Sequence, residues 1–274
     1  VVNECILLLI QLLTEVRPLV MKSSKEGFER TFKSEIIHAL CFDTCSYAQI
    51  VNCIPEHITK HPSFDIYLEK YANYTSPVSL TDNGVFVLKE KYKDEIDPYY
   101  IGLSSSRRYD VEKNIRLNMA NLKKMKYEDT FVPAKKVKDL LKNTLFSGLY
   151  SISSVNTFGL FLKNTLDHII KYDYDNLLPR VVHLIHLCVV NNLNEFMGIL
   201  WHEYAIVDTE FCHYHSIGSI LYYCLLKDNF SESHGKIREI FRYLMETAPH
   251  VNVNSYLREQ TTSYTPGILW PTKE

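Results

Sequence analysis

The stretch SEIIHALCFDTCSYAQIVNCIP, residues 34–55, decides the first part of the fold because it contains two helix signals in close succession. Ser34 precedes the apolar run 35–41, and Ser46 precedes a second run that Pro55 ends. A serine at the start of a helix can accept a hydrogen bond from a backbone amide that the first turn leaves unpaired. A proline cannot continue the helix. We therefore predict two short helices, capped by Ser34 and by Ser46.

A third helix and a strand–turn–strand pattern follow directly. Aromatic and aliphatic side chains recur at helical spacing between residues 64 and 74. The next distinctive stretch, LTDNGVFVLK at residues 80–89, contains an Asn-Gly turn signal followed by the strand candidate 85–88. Three short helices followed by a strand, a turn and a strand is the order of a winged helix. We place this domain at residues 30–103.

The sequence pattern predicts helices for the remainder of the chain, so the predicted fold class is mainly α. Only 9 Gly and 10 Pro occur in 274 residues, a low supply of turn residues that disfavours a many-stranded sandwich. We predict the end of a preceding helical scaffold at residues 1–29, with its helix at 1–22. Long basic linking helices are predicted at 104–146, with one helix ending near Lys126 and another beginning at Pro133. A helical scaffold domain is predicted at 147–274, where the nearly all-apolar segment 181–190 forms a central buried helix.

Composition indicates an ordinary globular protein. Hydrophobic residues make up 46% and charged residues 23% of the chain, and the net charge of −2 predicts no general attraction to nucleic acid or anionic membrane. The apolar run from Cys5 to Leu13 is too short to span a membrane. Seven cysteines without a repeated spacing indicate a reducing compartment, the cytoplasm or also the nucleus. The chain opens as if inside a helix and closes on a polar segment, so we expect it to be part of a larger protein.

A zinc site is one hypothesis for the second half of the chain. His183 and His186 would share a helix face, and Cys212 and His215 offer further nitrogen and sulfur ligands. Zinc fingers and related sites usually place ligand pairs around tight loops, whereas these groups lie on predicted helices. The spacing therefore favours buried histidines bonded to backbone carbonyls, and we assign no metal ligand.

No catalytic motif is present either. The sequence lacks a Gly-flanked nucleophile turn, a Walker loop and a G-x-G-x-x-G stretch. His202-Glu203 lacks the second histidine of the H-E-x-x-H motif. We therefore predict no catalytic and no cofactor-binding residue within the chain.

Nucleic-acid binding is the runner-up function, since winged helices often bind DNA through their third helix. Here that helix carries Asp65 and Glu69 against the single base Lys70, which is unsuitable for contacts with phosphates. Residues 104–142 do contain eleven Lys or Arg against five acids. The commoner fate of such a run is a solvated helix face, which we favour over a docking face for phosphate or an acidic surface.

Three groups of motifs together resemble one family. They are Glu35–Cys41 with Ser46–Ile50 and Ile54-Pro55; Gly84–Lys89 with Asp97–Tyr100; and Gly235–Ile240. These motifs and their order resemble the motifs of the UBR-box N-recognins, which are large RING-type ubiquitin ligases of the N-degron pathway. The fungal members of that family look most similar. That family has an E-I-I/V-H-x-L-C helix, a G-x-Y-x-L-K wing and a D-P-Y turn, and Phe86 replaces the usual wing tyrosine.

The resemblance implies a noncatalytic winged-helix and helical scaffold between the substrate-reading domains and the RING. The implied partners are other domains of the same ligase and, through the whole protein, a ubiquitin-conjugating enzyme, ubiquitin and N-degron substrates; no membrane and no nucleic acid is implied. The zinc-binding UBR box and RING are not found in these residues, so zinc is expected elsewhere in the whole protein. The whole protein would be a ubiquitin-protein transferase. A scaffold contributes to such catalysis by holding reacting groups close together.

Overall fold

The computed structural model describes residues 1–14, 25–41, 44–77, 83–137, 148–205 and 214–248. Within them the chain is mainly helical, as predicted. The helices are α1 (Val2–Thr14), α2 (Lys25–Ala39), α3 (Tyr47–Cys53), α4 (Glu56–Thr59), α5 (Phe64–Tyr71), α6 (Ser105–Lys123), α7 (Asn156–Tyr172), α8 (Leu178–Leu200), α9 (Ile217–Leu225) and α10 (Ser231–Thr247). The strands are β1 (Cys45–Ser46), β2 (Ala72–Thr75), β3 (Val85–Leu88), β4 (Tyr204–Ala205) and β5 (Tyr214–His215).

Contacts divide the chain into two compact units. The winged-helix unit is Thr14–Ile115, and the helical unit is Val1–Leu13 together with Arg116–Glu274. The two units are defined by contacts between residues, and they do not test the predicted domain limits. The limits at residues 30–103, 104–146 and 147–274 therefore stay predictions. No helix among the described residues is long and apolar enough to cross a membrane.

The winged-helix unit contains the predicted helices and wing. Its strands form an antiparallel sheet in the order β1-β3-β2, in which Phe86 lies opposite Cys45 on one side and Tyr74 on the other. The core is formed by buried side chains of α2, α3, α4 and α5 together with Leu88 of the wing. The fold class predicted from the order of helices and strands is therefore confirmed.

One of the two predicted helix caps is confirmed. The Ser46 side chain accepts from the Gln49 amide and the Gln49 side chain accepts from the Ser46 amide, a capping box at the start of α3. Ser34 was wrongly predicted as a cap, because α2 begins at Lys25 and Ser34 lies inside it. Phe32 and Ile36, on either side of Ser34 in sequence, are both fully buried, so packing against the core holds this segment helical.

The third helix is shorter than predicted. It ends at Tyr71 instead of Tyr74, because Ala72–Thr75 forms β2 and pairs with β3. Residues 78–82, directly before the Asn-Gly turn signal of the predicted strand–turn–strand order, lie outside the described residues. The wing is therefore built from β2 and β3, with Asn83 and Gly84 directly before β3.

The helical unit packs around α8, the predicted central helix. Its segment 181–189 is buried throughout, and α7 and α10 pack against it. Asn192 departs from helical geometry, with φ −145° and ψ 44°, so α8 is kinked there. The predicted opening helix agrees with α1 as far as Thr14, and residues 15–22 lie outside the described residues.

The helix predicted to begin at Pro133 is not present over residues 133–137, which have no regular secondary structure. The Asn191 side chain of α8 accepts a hydrogen bond from the Val137 amide (2.7 Å) and donates one to the Lys135 carbonyl (2.8 Å). The backbone of this segment is therefore hydrogen-bonded to α8 and not within a helix of its own. Residues 138–146 of the same prediction lie outside the described residues. The preceding basic helix is confirmed as α6.

Candidate functional site

The histidine of the first family motif joins that motif to a second one. His38, only 5% exposed, donates from Nδ1 to the Ser34 carbonyl (2.7 Å) and accepts at Nε2 from the Asp97 amide (3.0 Å). Its ring stacks on Tyr100 with the ring centroids 4.1 Å apart. Because the Asp97 amide can only donate, Nε2 carries no proton and the neutral Nδ1–H tautomer is fixed. The E-I-I-H helix and the D-P-Y turn are thus held together by one side chain.

A buried arginine holds the other side of the D-P-Y turn. Arg108 of α6 donates from Nε to the Pro98 carbonyl (3.1 Å) and from a terminal nitrogen to the Leu103 carbonyl (3.3 Å). Within the turn, Asp97 Oδ1 accepts from the Tyr99 amide (2.9 Å). The turn is therefore fixed by hydrogen bonds from both α2 and α6.

The wing motif contacts the third helix. Lys89 Nζ donates to the Glu69 carbonyl (2.5 Å) and to the Lys70 carbonyl (2.9 Å) near the end of α5. These carbonyls belong to the last turn of the helix, where a cation also interacts favourably with the helix dipole. A Cβ on Gly84 would lie 2.0 Å from the Tyr74 hydroxyl, so glycine allows this tyrosine to lie against the backbone of the wing.

The third motif, which lies in α10, holds the short 3-10 helix Tyr127–Asp129 of the helical unit. A Cβ on Gly235 would lie 2.4 Å from the Asp129 carbonyl oxygen, so only glycine permits this approach. Arg238 forms an ion pair with the Asp129 carboxylate. Lys236, only 6% exposed, has its Nζ 2.6 Å from His183 Nδ1. Three residues of the motif, Gly235, Lys236 and Arg238, therefore make contacts that maintain the fold.

The candidate zinc residues do not form a cluster among the described residues. Burial and the neighbouring Lys236 ammonium lower the pKa of His183 well below its ordinary value, and the same two causes lower the pKa of His186 to about 3. Both imidazoles are therefore neutral at pH 7. No group of three or more His, Cys, Asp or Glu side chains that could hold a metal occurs in the part of the chain that the structure describes. Cys212 lies outside that part, and only the backbone of His215 is described, in β5.

Two arginines of the basic segment are buried, which its charge count did not reveal. Arg108 contacts the D-P-Y turn, as described above. Arg116 donates to Thr130 Oγ1 (3.3 Å) and forms an ion pair with Glu232 (2.7 Å), with its guanidinium 4.3 Å from the centroid of the Tyr127 ring. Lys138 and Lys142 lie outside the described residues. The described basic residues thus do not all face solvent, which weakens the nucleic-acid alternative.

The start of α3, the outer side of α5 and the wing together expose two tyrosines, an isoleucine and two acids. Tyr47 is 45% exposed, Ile66 67% and Tyr74 57%. The Tyr47 hydroxyl donates to Asp65 Oδ1 (3.0 Å), and Asp65 and Glu69 are both exposed. We call this surface, formed by Tyr47, Asp65, Ile66, Glu69 and Tyr74, the tyrosine–acid face.

Comparison with known proteins tests the family resemblance that the motifs suggested. Residues 31–130 match the family model for the winged-helix domain of UBR1-like E3 ubiquitin-protein ligases. The chain carries a UBR1-like winged-helix domain. The resemblance drawn from the motifs is therefore confirmed.

Individual relatives point to the same family. The chain is 99% identical over its full 274 residues to the E3 ubiquitin-protein ligase UBR2 of Saccharomyces cerevisiae, of which it spans 15%. It is 26% identical to ubr1 of Schizosaccharomyces pombe over 80% of the chain and 12% of that ligase. It is also 25% identical to UBR1 of S. cerevisiae over 68% of the chain and 10% of that ligase. The chain thus spans a small part of each of these relatives.

Proposed function

We propose that this chain is a noncatalytic scaffold segment of an N-degron-recognising RING-type ubiquitin ligase. In this role the winged helix and the helical unit position substrate-binding modules and the RING with its conjugating enzyme for substrate polyubiquitylation. The similarity of the whole chain to a ligase of the UBR family is the observation that carries the proposal. The partners proposed are other domains of that ligase and, through them, ubiquitin, the conjugating enzyme and the substrate.

The motif contacts support a role in maintaining geometry. His38, Arg108 and Gly235 are buried; His38 and Gly235 each join segments that are distant in sequence, and Arg108 holds the turn that precedes its own helix. A scaffold accelerates ubiquitin transfer by restricting the positions that the reacting groups can sample, which requires interior contacts of this kind. The zinc of this ligase is proposed to lie in its UBR box and RING, and the protein is proposed to act in the cytoplasm and also in the nucleus.

Three of the seven cysteines lie in environments that are unfavourable for a ubiquitin thioester. A ubiquitin thioester would need an accessible thiol that ionises readily. Burial instead raises the pKa of Cys41 and of Cys224 to about 12, and it raises the pKa of Cys188 as well. These thiols are poor nucleophiles at neutral pH.

The proposal is tested in the whole ligase by separating two activities. His38→Ala should weaken polyubiquitylation of an N-degron substrate by roughly tenfold, because proximity depends on the fixed geometry of the segment. Discharge of ubiquitin from the charged conjugating enzyme onto free lysine, which needs only the RING, should remain unchanged. Tyr109→Ala, at an exposed position of α6, is the matched control and should leave both rates unchanged.

Two results would contradict the scaffold role. Equal loss of both activities in His38→Ala, with the ligase still folded, would indicate direct support of the RING. The second result is unchanged polyubiquitylation in a ligase whose winged-helix unit has been shown to be disrupted. It would indicate that the segment does not position the substrate-binding modules or the RING.

A further inference from the structure

We propose that the tyrosine–acid face is a docking surface for a protein segment that presents arginine or lysine next to aliphatic side chains. The face is formed by the first residue of α3, by α5 and by β2 of the wing. In winged helices that bind DNA, the third helix contacts the duplex. The composition of the face is the reverse of what a phosphate backbone requires. The inference rests on the winged-helix unit alone and does not depend on the proposed ligase role.

The apolar part of the face is held in place from behind. The Phe86 ring lies between the two tyrosines, with centroids 5.0 Å from Tyr74 and 6.3 Å from Tyr47. Tyr47 also packs edge-on against the buried Phe64 ring, at 6.3 Å. Exposed tyrosines that are already ordered lose little conformational entropy on binding, which is a property of side chains that dominate protein interfaces. Ile66 adds an exposed aliphatic group on the adjacent helix surface.

The acidic part of the face is also held in place. The hydrogen bond from the Tyr47 hydroxyl fixes the Asp65 carboxylate next to the Tyr47 ring. A carboxylate beside an aromatic ring provides both an ion-pair partner and a cation–π surface for one guanidinium group. This arrangement therefore favours a cationic side chain over a neutral or anionic one.

The neighbouring lysines do not cancel this preference. Lys70 on α5 forms an ion pair with Glu29 of α2, next to the rings of Tyr67 and Tyr71. Lys89 directs its ammonium at the carbonyl groups near the end of α5, where the helix dipole offsets part of its charge. Asp65 and Glu69 consequently leave the face negative, and charge complementarity points to a basic partner.

The test measures binding of synthetic peptides to the 274-residue chain by calorimetry at low ionic strength. An arginine–leucine repeat peptide should bind at least about tenfold more tightly than a glutamate–leucine or an arginine–serine repeat of the same length. Asp65→Asn and Tyr74→Ala should each weaken binding of the arginine–leucine peptide by about tenfold, as for central interface side chains. Asp110→Asn and Tyr109→Ala change the same residue types at exposed positions of α6 and should leave the affinity unchanged.

A conservative variant distinguishes the contribution of the Asp65 carboxylate to binding from that of the Tyr47 ring. Tyr47→Phe keeps the aromatic ring but removes the hydroxyl that orients Asp65, so it should weaken peptide binding less than Asp65→Asn. Circular dichroism of each variant establishes that the fold is intact. The inference is overturned if the arginine–leucine peptide shows no saturable binding, if the control variants weaken binding as much as the face variants, or if duplex DNA competes for the face.

Discussion

Two glycines inside helices of the helical unit should respond in opposite directions to the same substitution. Gly235 lies in α10 and Gly198 lies in α8. A Cβ at position 235 would lie 2.4 Å from the Asp129 carbonyl oxygen and 2.6 Å from its carbonyl carbon, whereas a Cβ at position 198 would meet nothing within 4 Å. The pair therefore isolates the effect of the Asp129 contact from the intrinsic preference of alanine for helices.

The magnitudes follow from two opposing terms. Alanine in a helix interior is favoured over glycine by about 1 kcal/mol. This gain applies at position 235, and part of it applies at position 198, which lies in the last turn of α8. Forcing a methyl group into a filled space costs about 1–3 kcal/mol, and at position 235 the obstacle is backbone that cannot rotate away. Gly198→Ala should therefore raise the free energy of unfolding by about 0.5–1 kcal/mol. Gly235→Ala should lower it by up to about 2 kcal/mol, the difference between the two terms.

Urea unfolding followed by tryptophan fluorescence measures both effects, since Trp201 reports on the helical unit. A change of 1 kcal/mol in a unit of this size corresponds to a shift of about 2–4 °C in melting temperature, which thermal unfolding resolves. If Gly235→Ala raises the unfolding midpoint as much as Gly198→Ala does, the Asp129 backbone does not press on α10. The structural role given to the third family motif would then be wrong.

Three further predictions concern buried polar side chains. Unfolding lets His186, whose folded-state pKa is about 3, regain the ordinary value of 6.5, so this side chain should lower the free energy of unfolding by about 2 kcal/mol between pH 7 and pH 5. The pKa of His183 is lowered as well, so His186→Leu should reduce the slope in urea titrations without abolishing it. Asn192→Ala removes hydrogen bonds to a carbonyl and a hydroxyl of the segment 149–154 and should cost about 2–3 kcal/mol in urea unfolding, whereas the exposed Asn194→Ala should change little. His38→Ala should lower the free energy of unfolding of the winged-helix unit by about 2–4 kcal/mol, and hydrogen exchange at the Asp97 amide should become faster.

The secondary structure was predictable where local chemistry determines it. The cap at Ser46 was predicted from a serine that precedes a helical run, and this worked because the capping contacts with Gln49 form within one turn. The cap predicted at Ser34 was wrong because the buried residues on either side of it continue the helix, and burial depends on the tertiary fold. The end of α5 was missed for a similar reason, since pairing with β3 involves residues that come later in the sequence.

The candidate site was predictable only in part. The motifs marked His38, Asp97 and Gly235 as family positions, but their spacing alone does not show which of them touch. The burial of Arg116 was missed because a charge count cannot distinguish a solvated guanidinium from one bonded inside the fold. A signal for Gly235 was available, since a glycine within an otherwise regular helical pattern often permits close backbone approach. The tyrosine–acid face needed the structure, because Tyr47 and Asp65 meet only through tertiary packing.

The positions that mark the family and the positions proposed to bind a partner belong to different classes. The motif side chains His38 and Lys236 point inward, where substitution changes stability and therefore geometry. Tyr74 and Asp65 point outward, where substitution leaves the core intact and changes only what the surface attracts. Changes at the inward positions should therefore lower stability and, in the proposed scaffold role, substrate polyubiquitylation with it. Changes at the outward positions should alter peptide binding with little loss of stability, because both side chains are exposed and the ring that Tyr74 contacts, Phe86, is itself only half-buried.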